Sequence, residues 1–161
     1  MEITIKNLKV LEALSEETLC FSASVYVNGK KVGTAENRGH GGMTDVDLVT
    51  YRKKADGDWE RNRDLYEELK EYVPQFTWDF DGEPVPHTVD SYIDELVWKE
   101  YERKDLLKQC RNQVLFRIPG EEYKEGEYSF LRNTKFSDKV KAALEKRHGK
   151  GLYIVNEHVA R

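Results

Sequence analysis

Two cysteines among 161 residues are too few for a disulfide framework. Cys20 and Cys110 stand far apart, and neither belongs to a C-x-x-C pair, so the spacing of a zinc ribbon or a redox dithiol is absent. Two buried thiols in a reducing compartment are expected. No window approaches about 18 apolar residues, so no membrane-spanning helix is expected. The opening run MEITIKNLKV has no basic stretch followed by an apolar one, and no signal peptide is expected. The expected location is therefore the cytoplasm. Neither charge sign is in large excess, with 30 acids against 26 bases and a net charge of −4. That balance is too mild for a mimic of a polyanion. It also has the wrong sign for gripping nucleic acid by bulk charge.

Catalytic signatures are missing as well. The chain has no G-x-S-x-G, no H-E-x-x-H and no cysteine–histidine signature. No cofactor, metal or catalytic residue is assigned, and the reading leans to a non-enzymatic protein. Scattered acids and histidines could still converge on folding. Internal repeats and low-complexity segments are absent too.

What is present suits one domain over residues 1–161. A chain of this length should bury roughly 70% of its unfolded surface. Its composition is 39% hydrophobic and 35% charged, which predicts a surface dense in both signs. Residues 2–10 carry Ile3 and Ile5 on one parity but Leu8 and Val10 on the other, which predicts a bulge near Asn7. Residues 18–27 alternate strictly, with Leu19, Phe21, Ala23, Val25 and Val27 on one face. Asn28-Gly29 then predicts a type I′ hairpin with Val27 opposite Lys30, Val25 opposite Val32 and Ala23 opposite Thr34.

Residues 36–50 read as irregular. From Asp58 the period becomes helical, with Leu65, Tyr66, Leu69, Tyr72 and Val73 on one face and Pro74 as the stop. Residues 74–87 hold three of the four prolines and read as an ordered loop. Thr88 can cap a second helix striped by Val89, Tyr92, Ile93, Leu96 and Val97. The stripe fades at Lys99–Asp105 and resumes at Leu106, so one long helix and two short ones both fit. Strands are predicted at 113–118, 127–132 and 152–155. A third helix is predicted after Ser137, with Val140, Ala143 and Leu144 inward and Gly149 at its stop. The order βββ-αα-ββ-α-β predicts an α+β fold, a mostly antiparallel sheet with helices on one face.

Five places could carry chemistry. The loop Asn37-Arg38-Gly39-His40-Gly41-Gly42 could converge backbone N–H groups on an anion, with Arg38 and His40 beside it. It is equally a tight connection after a strand, and it matches neither a P-loop nor a dinucleotide fingerprint. His40 with Asp45 and Asp47 offers imidazole and carboxylates, but the H-x4-D-x-D spacing is no known metal motif. Phe76, Trp78 and Phe80 alternate with Asp79, Asp81 and Glu83. They either form a binding edge or tuck into the core. The run Lys99–Asp105 reads as a solvated helix face. The bases Lys139, Lys141, Lys146, Arg147 and Lys150 suit the C-terminal end of a helix dipole, with nucleic-acid contact as the alternative. His87, His148 and His158 are isolated and read as structural.

The hairpin VNGKKVGTAENRGHGG, residues 27–42, and the run KFSDKVKAALEKRHGKGLYIVNE, residues 135–157, together resemble a group of small bacteriophage, prophage and mobile-element proteins. Residues 45–110 take no part in the resemblance. It implies a bacterial host cell and an unidentified host or phage protein as partner. It supplies no catalytic residue. Small accessory proteins of such elements are often inhibitors of host defence, anti-CRISPR proteins among them, and that class is the expectation. The alternatives are a nucleotide-sized ligand at 37–42 and nucleic acid at helix 138–150.

Overall fold

A computed structural model describes residues 1–48, 50–62 and 64–159, with backbone alone for residues 50, 52, 53 and 59–62. Every strand pair among the described residues is antiparallel, and the α+β class holds. The first sheet runs in the order β1 (Ile3–Val10), β2 (Phe21–Val27), β3 (Lys30–Asn37), β4 (Asp45–Leu48). Asn7 adopts a left-handed φ of 55°, and the β1–β2 pairing shifts between Lys6 and Lys9. One extra residue reverses the parity, so Ile3 before the bulge and Leu8 after it are both buried. The bulge falls where the sequence pattern puts it.

At the turn, Asn28 and Gly29 take φ of 48° and 77°, as a type I′ turn requires. Val27 pairs with Lys30 as expected, but Val25 pairs with Gly33 and Ala23 with Ala35. The predicted partners Val32 and Thr34 are displaced by a second bulge. The extra residue is Val32, whose side chain joins the core. Two further expectations are corrected nearby. The ladder begins at Phe21, although Leu19 and Cys20 are buried ahead of it. The stretch 36–50, read as irregular, contains the end of β3 and all of β4, while its Val49 lies outside the described residues.

A hairpin of β5 (Thr50–Lys53) and β6 (Trp59–Asn62) follows, so the first residues after Asp58 are strand where helix is expected. Helix α1 (Asp64–Tyr72) buries Leu69, and Val73 follows it into the core. Residues 74–87 are more regular than the loop predicted from their prolines. They hold a second hairpin, β7 (Thr77–Phe80) and β8 (Glu83–Pro86), turned by Asp81-Gly82 at φ of 53° and 86°. Pro84 and Pro86 fit because each opposes a residue, Asp79 or Thr77, at alternate rungs of the ladder.

Helix α2 (Val89–Cys110) is one continuous element. Thr88 caps it: Ser91 N donates to Thr88 Oγ1 at 3.2 Å, and Thr88 N donates to Ser91 Oγ at 2.9 Å. Val89, Ile93 and Val97 of α2 join Leu69 of α1 against Phe21, Ala23 and Val25 of the sheet. Burying each such side chain is worth about 1.5–3 kcal/mol.

The rest of the chain makes a second sheet, in the order β10 (Ser129–Arg132), β9 (Gln113–Arg117), β11 (Tyr153–Ile154). Helix α3 (Asp138–His148) lays Leu144 against Val114, Phe116 and Ile154. Ser137 caps it by accepting from Val140 N at 3.4 Å, and Gly149 closes it at φ 91°. Ala143, expected inward, is exposed. The strand expected over 152–155 stops at Ile154 and becomes the short helix α4 (Val155–His158). Asn156 of α4 donates to the carbonyls of Cys110 and Gln113 and accepts from Leu115 N at 2.9 Å.

The composition suits one domain over 1–161. The contacts within it gather into two compact units, residues 1–101 and 102–161, divided inside α2. Each unit covers the apolar face of its own sheet with its own helix residues, which is why each has its own apolar cluster. Among the described residues no helix is long and apolar enough to cross a membrane.

Leu69→Ala should lower unfolding stability by about 2–5 kcal/mol, because Leu69 is 0% exposed and its removal leaves a cavity. Urea denaturation followed by circular dichroism measures it, and a loss below about 1 kcal/mol would contradict this packing.

Candidate interaction surface

The glycine-rich loop is fastened onto its own neighbours. Asn37, buried at the end of β3, accepts from Thr18 Oγ1 at 2.7 Å and from Gly39 N at 2.9 Å. Its amide donates to Gly42 O at 3.2 Å. The Gly39 carbonyl accepts from the N–H groups of Glu16, Glu17 and Thr18 at 2.9, 3.0 and 3.4 Å. Gly41 N donates to Thr18 Oγ1 at 3.3 Å. The N–H groups of Gly39 and Gly41, which would have to converge on an anion, are thus engaged inside the fold. Gly39, at φ 87°, leaves no room for a Cβ, which would run into the Leu14 carbonyl. Arg38 and His40 are exposed, and His40 Nδ1 lies 3.0 Å from Glu16 Oε2. Both border a groove of about 420 Å³ whose walls include Leu11, Leu14 and Phe21.

Asp45 and Asp47 lie on β4, opposite Glu36 and Thr34. Among the described residues no group of three or more histidines, cysteines or acids is placed to hold a metal ion.

The aromatic stretch after α1 divides into a fixed base and an open end. Phe76 packs between Tyr72 and Tyr92, with ring centroids 5.4 and 5.1 Å away. His87 N donates to Phe76 O at 3.0 Å, joining the two ends of the hairpin. Beyond this base, Trp78 and Phe80 are 42% and 57% exposed. They share one face of β7, in an edge-to-face pair at 5.5 Å. Of the two sequence readings, tucking into the core holds for none of the three: Phe76 is held by its ring contacts but is still 36% exposed, and Trp78 and Phe80 are more open. Glu83 stands directly across the ladder from Phe80. No Lys or Arg occurs between Lys70 and Lys99, so Asp79, Asp81 and Glu83 meet no base on the hairpin.

One cluster escaped the sequence reading because its members are unremarkable singly. His87 is 4% exposed, with Nδ1 3.0 Å from Ser91 Oγ and Nε2 2.6 Å from Glu95 Oε2. Serine, histidine and glutamate at these distances are the residue types of a hydrolase site. Here the Ser91 hydroxyl serves the α2 cap, also donating to Thr88 O at 3.2 Å. The imidazole is closed off from solvent, so the cluster ties the end of β8 to α2. Its spacing, H-x3-S-x3-E, is the signal: Ser91 and Glu95 share a helical face of α2, and His87 stands just before the Thr88 cap, over that face.

Burial pushes the Glu95 carboxyl up, but the hydrogen bond and charge of Lys99, with those of His87, outweigh it and hold the group below its ordinary 4.5. Asp90 moves the other way. Burial and the nearby Asp45 charge raise it, against a backbone hydrogen bond.

Two outcomes follow. Gly39→Ala should destabilise the chain by more than the about 1–3 kcal/mol that a left-handed non-glycine residue costs, because the new Cβ also meets backbone. Gly42→Ala, with open space around its Cβ position, should cost only the conformational part. Equal thermal shifts for the two would contradict the docked loop. For Glu95, a folded-state pKa below the unfolded one adds stability that is present above 4.5 and lost as pH falls through the folded value. Asp90 offsets part of this, since its raised pKa makes protonation relieve strain. Urea midpoints measured from neutral pH downward should show a smaller acid loss in Glu95→Gln than in wild type. Superimposable acid limbs would remove Glu95 from the acid response.

No family model, no curated protein and no solved structure matches this chain, so its function is read from its own geometry.

Proposed function

We propose that the chain is a non-enzymatic protein-binding module whose contact surface is the open end of the β7–β8 hairpin. The observation that carries this reading is the exposure of Trp78 and Phe80 side by side on a hairpin whose base is fixed by Phe76, Tyr92 and His87. Large aromatics held in one conformation lose little entropy on docking, and Trp and Tyr dominate the energetics of many interfaces. The acids Asp79, Asp81 and Glu83 select the partner: an apolar depression edged by Lys or Arg attracts this end, and an acidic surface repels it. The resemblance to mobile-element proteins makes a host or phage protein the natural class of partner, an inhibited defence factor among them.

The glycine loop serves this reading as scaffold, since Asn37 and Thr18 already occupy the N–H groups of Gly39 and Gly41. A nucleotide there would have to do without those two donors.

The test is retention of partners from bacterial lysate by the immobilised chain, compared with Trp78→Ala and Phe80→Ala chains. Wild type should hold a stoichiometric partner. Each variant should bind it about 30-fold more weakly, the equivalent of a 2 kcal/mol hot spot. Equal retention by wild type and both variants would sink the hairpin as the contact surface.

A further inference from the structure

The proposed binding role requires a partner with an apolar depression edged by bases, and this chain carries one itself. Between β10 and α3 lies a groove of about 310 Å³ lined by Leu131, Val140 and Ala143, with Lys139 and Arg147 also on its walls. Leu131 and Val140 are already packed against the second apolar cluster from beneath. The outward turn of Ala143 opens the groove, because a methyl group fills little of the space a larger side chain would take. Lys139 and Arg147 stand about 12 Å apart along the helix axis. No acid lines the groove.

We infer that a second copy of the chain docks Trp78 and Phe80 in the β10–α3 groove, so that copies associate head to tail. The inference rests on the hairpin reading above and names its partner. The aromatic pair supplies apolar area to a site of suitable size. Glu83, beside Phe80, and the neighbouring Asp79 and Asp81 bring negative charge to Lys139 and Arg147. The wider charge distribution favours the same orientation. Residues 1–101 carry 21 acids and 12 bases, whereas residues 102–161 carry 9 acids and 14 bases. Like-charged units of two copies therefore repel and unlike ones attract. Because the hairpin and the groove are different surfaces, each contact leaves one of each free, to be filled by reciprocal exchange between two copies or by further copies.

Sedimentation of the full chain from micromolar to millimolar concentration tests this. Wild type should gain mass with concentration and lose it with added salt, the latter because ionic screening weakens the charged edge. Trp78→Ala and Arg147→Glu should each sediment as single chains. Both residues are exposed, so circular dichroism should show both variants folded. An equimolar mixture of the two should form a complex of two chains and no more, since one variant keeps only its groove and the other only its hairpin. A wild type that stays single at every concentration overturns the inference. So does a mixture that forms no two-chain complex, or association that survives in both variants. If wild type stays single yet still holds another partner that Trp78→Ala releases, the hairpin reading stands and only self-association falls.

Discussion

The structure of residues 1–101 depends on the packing of α2 against the β1–β4 sheet. Val89, Ile93 and Val97 fill the space over Phe21, Ala23 and Val25, and that contact fixes where the start of α2 lies. The proposed hairpin surface follows from that position. Tyr92 and Ser91 project from the same first turns of α2. They hold Phe76 and His87, and through them the base of the β7–β8 hairpin. An aromatic end on an unfixed loop would lose its exposure advantage to collapse or disorder. Here an apolar core positions a polar and aromatic outpost some residues away in sequence.

Much of the local structure was legible because it depends on short-range chemistry. The β2 alternation, the Asn28-Gly29 turn, the Thr88 and Ser137 caps and the bulge at Asn7 each follow from two to ten neighbouring residues. The failures share a different cause. The bulge at Val32 has no signature of its own, since a two-residue turn fixes the first pair of the ladder and leaves later slippage open. The β7–β8 hairpin was hidden by its prolines, which signal a loop unless their rungs are known. Ala143 was assigned inward by helical spacing, but a small residue at the margin of a stripe can face either way.

The candidate site was legible in part for the same reasons. Alternation marks Trp78 and Phe80 as one pair and Phe76 as its companion, but the hold on Phe76 comes from Tyr72 and Tyr92, which lie in other elements. The glycine loop stands out in sequence by its density of glycine. Its glycines answer to close packing, as the Leu14 carbonyl beside Gly39 makes plain, and to the demands of Asn37 and Thr18. The His87, Ser91 and Glu95 cluster carries the opposite lesson. Residue types suited to hydrolysis can assemble for capping, and the hydroxyl's other hydrogen bonds decide between the two.

Pro84 and Pro86 have a consequence beyond their fit in β8. A two-residue turn makes Phe80 and Glu83 a hydrogen-bonded pair, so the next alternate rungs, at Pro84 and Pro86, direct their backbone nitrogens away from β7. Those nitrogens carry no hydrogen, so the outer margin of β8 offers no N–H at these two rungs to another strand. A protein that displays Trp and Phe on an open ribbon courts fibrillar stacking with its own kind. The two imino acids weaken backbone pairing along one margin and leave recognition there to side chains, where shape and charge can discriminate among visitors.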